Sequence, residues 1–400
     1  MEPSRLVVGS TRVRSPPSRS RSSRRPRTDP VRYAVALSEH PDTGVALGEV
    51  VGQVLDRIGP APDAAVLFLT GHHVDRCDEL GRTVRQTLGA RALIGGTAVS
   101  VLAHRQEVEE TPGVVLWAGH TGPVRSFRPT PDGLLPDDLP EGGSVLVLAD
   151  PYSYDAVKLA GRVPAGITLV GGLASAAGRP GGNRLLLDDE VQVDGAVALA
   201  LPSELTIQPL VSQGCRPVGE PLTVTASEGN LVHELGGRPA MERLRQIAEA
   251  APPPERSLLS RGLHVGLVVD EQREHFGPGD FLVRGVLGAD RNSGSIAIGD
   301  HAPVGSTMQF QVRDADAATD ELRRLAARWR AESALVFTCN GRGSHLFGRP
   351  GPDAEALADG LETTVLGGMF CAGELGPIGG RHFLHGFTAS ALLLGAESAN

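Results

Sequence analysis

Three stretches of this 400-residue chain repeat one pattern, and that pattern restricts the fold more than any other feature. "AAVLFLTG" (64–71) precedes a segment with Leu80, Val84 and Leu88 on one helical face, then "ALIGG" (92–96). "SVLVLAD" (144–150) precedes Ala156, Ala160 and Val163, then "ITLVGG" (167–172). "ALVFTCNG" (334–341) precedes Ala354, Leu357, Ala358 and Leu361, then "TVLGG" (364–368). Each unit reads strand, helix, strand, Gly-Gly over roughly 30 residues, the span of a βαβ crossover. The strands are apolar at every position, as burial on both faces requires. The Gly-Gly pairs fall just past a buried strand, where open α/β sheets hold ligands. Glycine also lets backbone approach a neighbour closely, so tight packing is the competing explanation.

Antiparallel signals lie between the units. "EVQVDGAVALAL" (190–201) reads as a hairpin about Asp194-Gly195, and 281–300 as another across Asn292-Ser293-Gly294. "RHFLHGFTASALLL" (381–394) reads as one late strand, and 231–257 as a helix of about 15 residues followed by a Pro-rich break. The expected fold is therefore α/β: two tightly packed domains with mixed β-sheets flanked by helices. The expected layout is a basic tail over 1–30, a first domain over 31–228 and a second over 229–395. The tail holds eight Arg against Glu2 and Asp29, with abundant Ser and Pro, and predicts disorder.

Charge and composition exclude several functions. The net charge of −9 places about −15 on the body once the tail is set aside, which suits nucleic acid poorly. Aromatics make up 4%, too few for base-stacking platforms. Lys158 is the only lysine, and it stands in "AVKLA", so neither a Walker A loop nor a protein-kinase strand lysine is present. The four cysteines, 77, 215, 339 and 371, form no CxxC pair and no disulfide framework. No apolar run reaches the 18 or so residues of a membrane span. The expectation is a cytoplasmic protein.

The chemistry-bearing stretch is "VFTCNGRGSHLFG" (336–348), an apolar run ending in Cys339, Asn340, Gly341, Arg342 and Gly343. It is no dinucleotide loop, because Pro350 and Pro352 delay any helix until Asp353, the expected N-cap. Cys339 beside Arg342 could be an activated thiol if His345 or His385 reached it as base. Cys339, His345, Cys371, Glu374, His382 and His385 show no zinc spacing, and His72-His73 point apart in an extended segment. The remaining reading is a pocket: Arg342 offers a planar fork to an anion, Glu374 faces an ammonium, Asn340 donates and accepts, and glycines such as Gly373 admit the ligand. Its competitor is an internal Arg342–Glu374 ion pair that only holds the loops.

"CNGRGSHLFGRPGPDA", "GGMFCAGELGPIGGRHFLHGFTAS", "GDFLVRGVLGADRNSGSIAIGD" and "QFQVRDADAATDEL" resemble the C-terminal domain of the FIST family. "VLFLTGHH", "LIGGTAVSV", "VLADPYSYD", "LVGGLASAAGRPGGNRLLLDD" and "VSQGCRPVGEPLTVT" resemble its N-terminal domain. The resemblance implies a sensory, signal-transduction module that binds small ligands, amino acids among them, without a cofactor. With no room for a fused kinase or cyclase, it also implies a separate signalling partner. Its motifs fall on Cys339 to Gly343, Cys371 to Glu374, His385 to Thr388, Arg284, Arg313 and Asp314. Two alternatives stay open: a hydrolase using Cys339 or Cys371, and an interaction scaffold with no ligand.

Overall fold

A computed structural model describes Met1 and residues 31–273, 275–277 and 279–399. The tail expected over 1–30 therefore lies, Met1 apart, outside the described residues. All three repeated units form parallel crossovers: Ala64–Thr70 with Ala92–Ala98, Ser144–Ala149 with Thr168–Leu173, and Ser333–Cys339 with Leu366–Cys371. Each pair lies inside its own six-stranded mixed sheet, flanked by antiparallel strands. Alternate residues of one strand serve opposite sides. Val66 and Phe68 enter a core shared by all three sheets, while Leu67 and Leu69 pack under the helices Thr43–Ile58 and Cys77–Leu88. The shared core joins Phe68 and Trp117 of the first sheet to Leu146 and Leu148 of the second and Phe337 and Met369 of the third. Ala156–Ala160 covers the outer side of the second sheet, and Ala315–Ala326 with Pro352–Leu361 covers that of the third.

The two halves of the chain exchange strands. Ser100–Ala103 adds to Leu366–Cys371, with Gln106–Glu109 beyond it, so the first half completes the third sheet. Glu374–Ile378 in turn pairs with Thr168–Leu173 and extends the second.

The glycine pairs stand within the second strand of each unit rather than past it. Gly95, Gly171 and Gly368 are register partners of Leu67, Val147 and Val336. A Cβ at these glycines would lie 2.5, 1.8 and 2.0 Å from the partner's carbonyl oxygen. Their companions let the sheets meet: a Cβ on Gly172 would lie 2.3 Å from Cys371 Sγ of the third sheet, and one on Gly367 would lie 3.5 Å from Trp117 Cβ of the first. The pairs are thus packing devices, not ligand loops.

The fourth sheet closes on itself. Cys215–Glu228, Thr307–Arg313, Leu263–Val268, Phe281–Asp290, Ser295–Ile298 and Leu231–Leu235 pair in that order, and the last returns to the first. All these pairings are antiparallel. "TMQFQVR" (307–313) alternates, so Met308, Phe310 and Val312 are buried and Met308 and Phe310 join the barrel core. Gln309, Gln311 and Arg313 stand on the outer face.

Local expectations fared unevenly. The hairpin at 292–294 forms between Phe281–Asp290 and Ser295–Ile298. The one expected at Asp194-Gly195 does not: Glu190–Gln192 pairs with Leu185–Leu187, while Ala196–Leu201 joins another sheet. The single late strand divides into Arg381–His385 and Ala389–Leu394, again in different sheets. Residues 231–257 begin as strand, and the helix is Ala240–Ala250. A turn signal marks where a chain bends; tertiary packing decides whether the flanking segments pair.

Gly368→Ala should cost about 3 kcal/mol or more, because a backbone carbonyl cannot yield to the new methyl. Gly48→Ala, in the exposed middle of Thr43–Ile58 with nothing within 4 Å of its added Cβ, should instead add about 0.5–1 kcal/mol. Urea denaturation of both variants tests the contrast; equal destabilisation would contradict it.

Candidate functional site

The turns expected to converge do converge. Cys339 and Cys371 are register partners at the strand ends, and Asn340 N donates to Cys371 O at 2.9 Å. They enclose no open hollow, however. Arg342 and Glu374 both have 0% exposure. Arg342 does not pair with Glu374 either: its Nε and Nη2 each lie 2.7 Å from Asp353, one on each carboxylate oxygen. Burial works against the guanidinium charge, and Asp353 more than offsets it, so the group is held charged. Gly214 closes the other side, since a Cβ there would lie 2.3 Å from Arg342 Nη1.

Asp353 is not the N-cap. That place belongs to Gly351, and Pro352 opens the helix Pro352–Leu361. Asp353 instead spends its carboxylate on Arg342 and on Thr338 Oγ1, at 2.6 Å. The free helix N–H groups are met by Glu107 from the first half, which accepts from Gly351 N, Asp353 N and Ala354 N at 2.7–3.1 Å. Burial, then the neighbouring Asp353, pushes the Glu107 carboxyl up to about 7. Glu109 takes Ser344 N, and Gly343 leaves room for it, because a Cβ there would lie 2.6 Å from Glu109 Oε1.

Glu374 Oε2 accepts from Thr388 N at 3.2 Å and Oγ1 at 2.7 Å, and Oε1 meets no donor among the described residues. Burial pushes its carboxyl up to about 8. His385 donates from Nε2 to Gly376 O at 2.9 Å, and burial pushes it down to about 4. Burial also pushes the Cys339 thiol up to about 12 and Cys371 well above its ordinary value, opposite to the activation a thiol nucleophile needs. Gly373 packs against Leu173 and Leu384, and its carbonyl accepts from Leu173 N at 2.8 Å.

The remaining expected residues are dispersed. Arg284 pairs with Asp300 at 2.7 Å on the barrel wall. Asp314 caps Ala315–Ala326 and accepts from Arg216 Nε at 3.2 Å. Arg313 lies over the Phe387 ring at 4.3 Å and donates to Gly341 O. Phe387 holds φ at 65°, an unfavourable conformation for a bulky residue, and touches His264 edge-on at 4.9 Å. Arg313 and Asp314 border an open groove of about 570 Å³.

A separate cavity lies on the outer barrel face. It measures about 380 Å³, within the ordinary range for small-molecule sites, and its walls include Gln311, Cys215, Glu321, Phe276 and Phe281. Gln311 is only 4% exposed and lines the cavity, and its amide atoms are not among the sealed, unpaired polar atoms of the described residues, so they open onto the cavity. It lies across Gly266, where a Cβ would come within 2.6 Å of Gln311 Nε2. Glu321 Oε2 is taken by Ser212 Oγ at 2.7 Å and Gly214 N at 3.0 Å, and its other oxygen accepts from no described residue. Gln213 is engaged at both ends, donating to Phe281 O at 2.6 Å and accepting from Val283 N at 2.9 Å. The hydroxyl-free apolar wall is set by Phe276 and Phe281, in edge contact at 5.9 Å. The sequence reading passed over Gln213, Cys215, Gln311 and Glu321. The available signal was two glutamines on the polar face of an alternating strand.

Among the described residues no His, Cys, Asp and Glu group could hold a metal, and no helix is long and apolar enough to cross a membrane. A closed barrel beside three crossover sheets, with a small-molecule-sized cavity on the barrel wall, defines a mixed α/β protein. Residues 63–238 match the FIST N domain and 240–377 the FIST C domain; the chain belongs to the FIST family, whose domains are regarded generally as sensory signal-transduction modules. An uncharacterized protein of Mycobacterium bovis and another of Mycobacterium tuberculosis are each 43% identical over 382 residues, covering 91% of this chain and 98% of their own. A second uncharacterized Mycobacterium tuberculosis protein is 41% identical over 381 residues, covering 91% of this chain and 99% of its own.

Asp353→Ala would leave the Arg342 charge buried and unpaired, and should cost about 3–5 kcal/mol in urea denaturation. The raised carboxyls set a pH dependence. A folded-state value above the unfolded one gives a contribution that is complete below the ordinary carboxylate range and lost as pH rises through the folded value. For Glu374 that loss runs up to about pH 8. Melting temperatures should therefore fall between about pH 5 and pH 8, and Glu374→Gln should reduce the fall; an unchanged slope in the variant would assign it to other groups.

Proposed function

We propose that this protein is a cytoplasmic sensor of a small, amino-acid-like solute, held in the cavity on the outer face of Thr307–Arg313 and read out by a separate signalling protein. The observation that carries this reading is Gln311: a carboxamide on a residue 4% exposed, opening onto a cavity of about 380 Å³ beside the carboxylate Glu321. The Gln311 amide atoms are not among the sealed, unpaired polar atoms of the described residues, so water reaches them from the cavity, and a ligand that pairs with them exchanges that water for a fixed partner. The apolar wall suits a hydrocarbon portion, and the open oxygen of Glu321 suits an ammonium. Arg342 has no part in this site, because Asp353 occupies its fork.

Thermal unfolding of the full chain with a panel of amino acids, amines and other metabolites at millimolar concentration tests the reading. A ligand at about 100 times its Kd adds roughly 2.7 kcal/mol of stability. Gln311→Ala should lose the shift given by any ligand found. A panel with no effect, or a shift that survives Gln311→Ala unchanged, would remove the cavity from the proposal.

A further inference from the structure

The cavity wall carries more information than its volume, because its charges have one predominant sign. Among the described residues the titratable groups lining it are Glu220, Glu321, His275 and Cys215, with no arginine or lysine. Burial pushes the Cys215 thiol up to about 12, which leaves it neutral. Arg313 shares the strand face with Gln309 and Gln311 and is the register partner of Cys215, so it is the nearest candidate for a cationic anchor. Its guanidinium is committed to the Phe387 ring and to Gly341 O, and it borders the separate groove. Arg216 is likewise held, between Glu255 at 2.9 Å and Asp314 at 3.2 Å.

The groups that remain available form a short gradient. At one end the second oxygen of Glu321 accepts only. Gln309 donates one Nε2 hydrogen to Gly219 O, at 2.7 Å, which leaves its Oε1 and its second N–H. Gln311 can likewise accept and donate. Phe276, Phe281 and Pro217 supply the apolar boundary. Among the described residues the fixed charges on this wall are the carboxylates Glu321 and Glu220, both negative. A carboxylate brought here would lose its water and face Glu321 and Glu220, with His275 the one described lining side chain able to carry a positive charge. An ammonium would exchange water for a carboxylate oxygen and amide carbonyls.

Resting on the proposed sensor site, we infer that the cavity selects a primary ammonium carried on an apolar or aromatic skeleton, and discriminates against the same skeleton bearing a carboxylate. Within the amino-acid-like class, the preferred solute is the decarboxylated amine rather than the free amino acid. Glu321 is the residue that sets the preference, and Gln311 the one that orients the head group.

Three probes separate the contributions: phenethylamine, with the ammonium alone; phenylalanine, with both charges; and 3-phenylpropionate, with the carboxylate alone. Calorimetric titration into the full chain at pH 7 should give binding of phenethylamine at least ten-fold tighter than phenylalanine, and no binding of 3-phenylpropionate. Glu321→Gln keeps an acceptor for Ser212 and Gly214, so the fold should persist, checked by circular dichroism, while phenethylamine affinity drops ten-fold or more. If that variant does not fold, Gln309→Met, which removes an acceptor from the exposed side of the strand, should weaken phenethylamine about three-fold or more. Equal binding of phenylalanine and phenethylamine, any binding of 3-phenylpropionate, or an unchanged Glu321→Gln affinity would overturn the inference. If all three probes fail while another metabolite binds through Gln311, the inference falls and the sensor reading stands. If nothing binds at all, the sensor reading falls with it.

Discussion

The pair Arg342–Asp353 is the interaction on which the surrounding structure depends. A guanidinium with no exposed atom is tolerable only where a carboxylate fills its fork on both sides and further acceptors finish the job. Here the two carboxylate oxygens, together with Phe387 O at 3.5 Å, meet the guanidinium. The arrangement ties the exit of Ser333–Cys339 to the first turn of Pro352–Leu361, to the Gly214 turn that leads into the barrel, and to the Phe387 loop. Glu107 then locks the same helix start from the first half of the chain. Two buried carboxylates side by side are admissible because one has a cation and the other has three backbone N–H groups at a helix N-terminus.

That commitment explains why the strand-end turns are a joint rather than a binding site. The Arg342 charge there is answered by Asp353, Gly341, Gly343 and Gly373 are filled against by neighbours, and the thiols are desolvated. The cavity on the barrel wall is built on the opposite principle. Its Gln213 is engaged at both ends, but Gln311 and one oxygen of Glu321 are left over. The two regions are joined by one strand: Gln311 stands in the cavity, and Arg313, two residues on, holds the Phe387 ring and the Gly341 carbonyl. Occupancy of the first is thus mechanically adjacent to the second.

The crossover units were legible because their signal is redundant. Strand apolarity, helical spacing and length all pointed to the same βαβ reading, and each unit repeated it. The hairpin at 292–294 was legible for the same reason. The Asp194-Gly195 turn misled because it sits between strands of different sheets, where the bend is real and the pairing is not. The site residues were harder still. Arg342 and Glu374 carry conspicuous functional groups, and their types are equally compatible with a ligand and with an internal partner. The partner, Asp353, stands eleven residues from Arg342 in a stretch read as a helix cap. Gln311 drew no notice because an amide on an alternating strand is ordinarily a solvated residue.

The amino-acid sequence by itself determined the three buried crossovers, the family and the kinds of nucleotide chemistry the chain lacks, since these rest on local periodicity and on which residue types are present. The tertiary structure alone decided which charges are free. Whether an arginine awaits a ligand or is already neutralised depends on a carboxylate brought to within 2.7 Å by a helix and two sheets, and no local pattern encodes that distance. The same holds for the cavity, which exists because a glycine on one strand lets a glutamine from the next lie down across it, beneath a helix that leaves half of a carboxylate unclaimed.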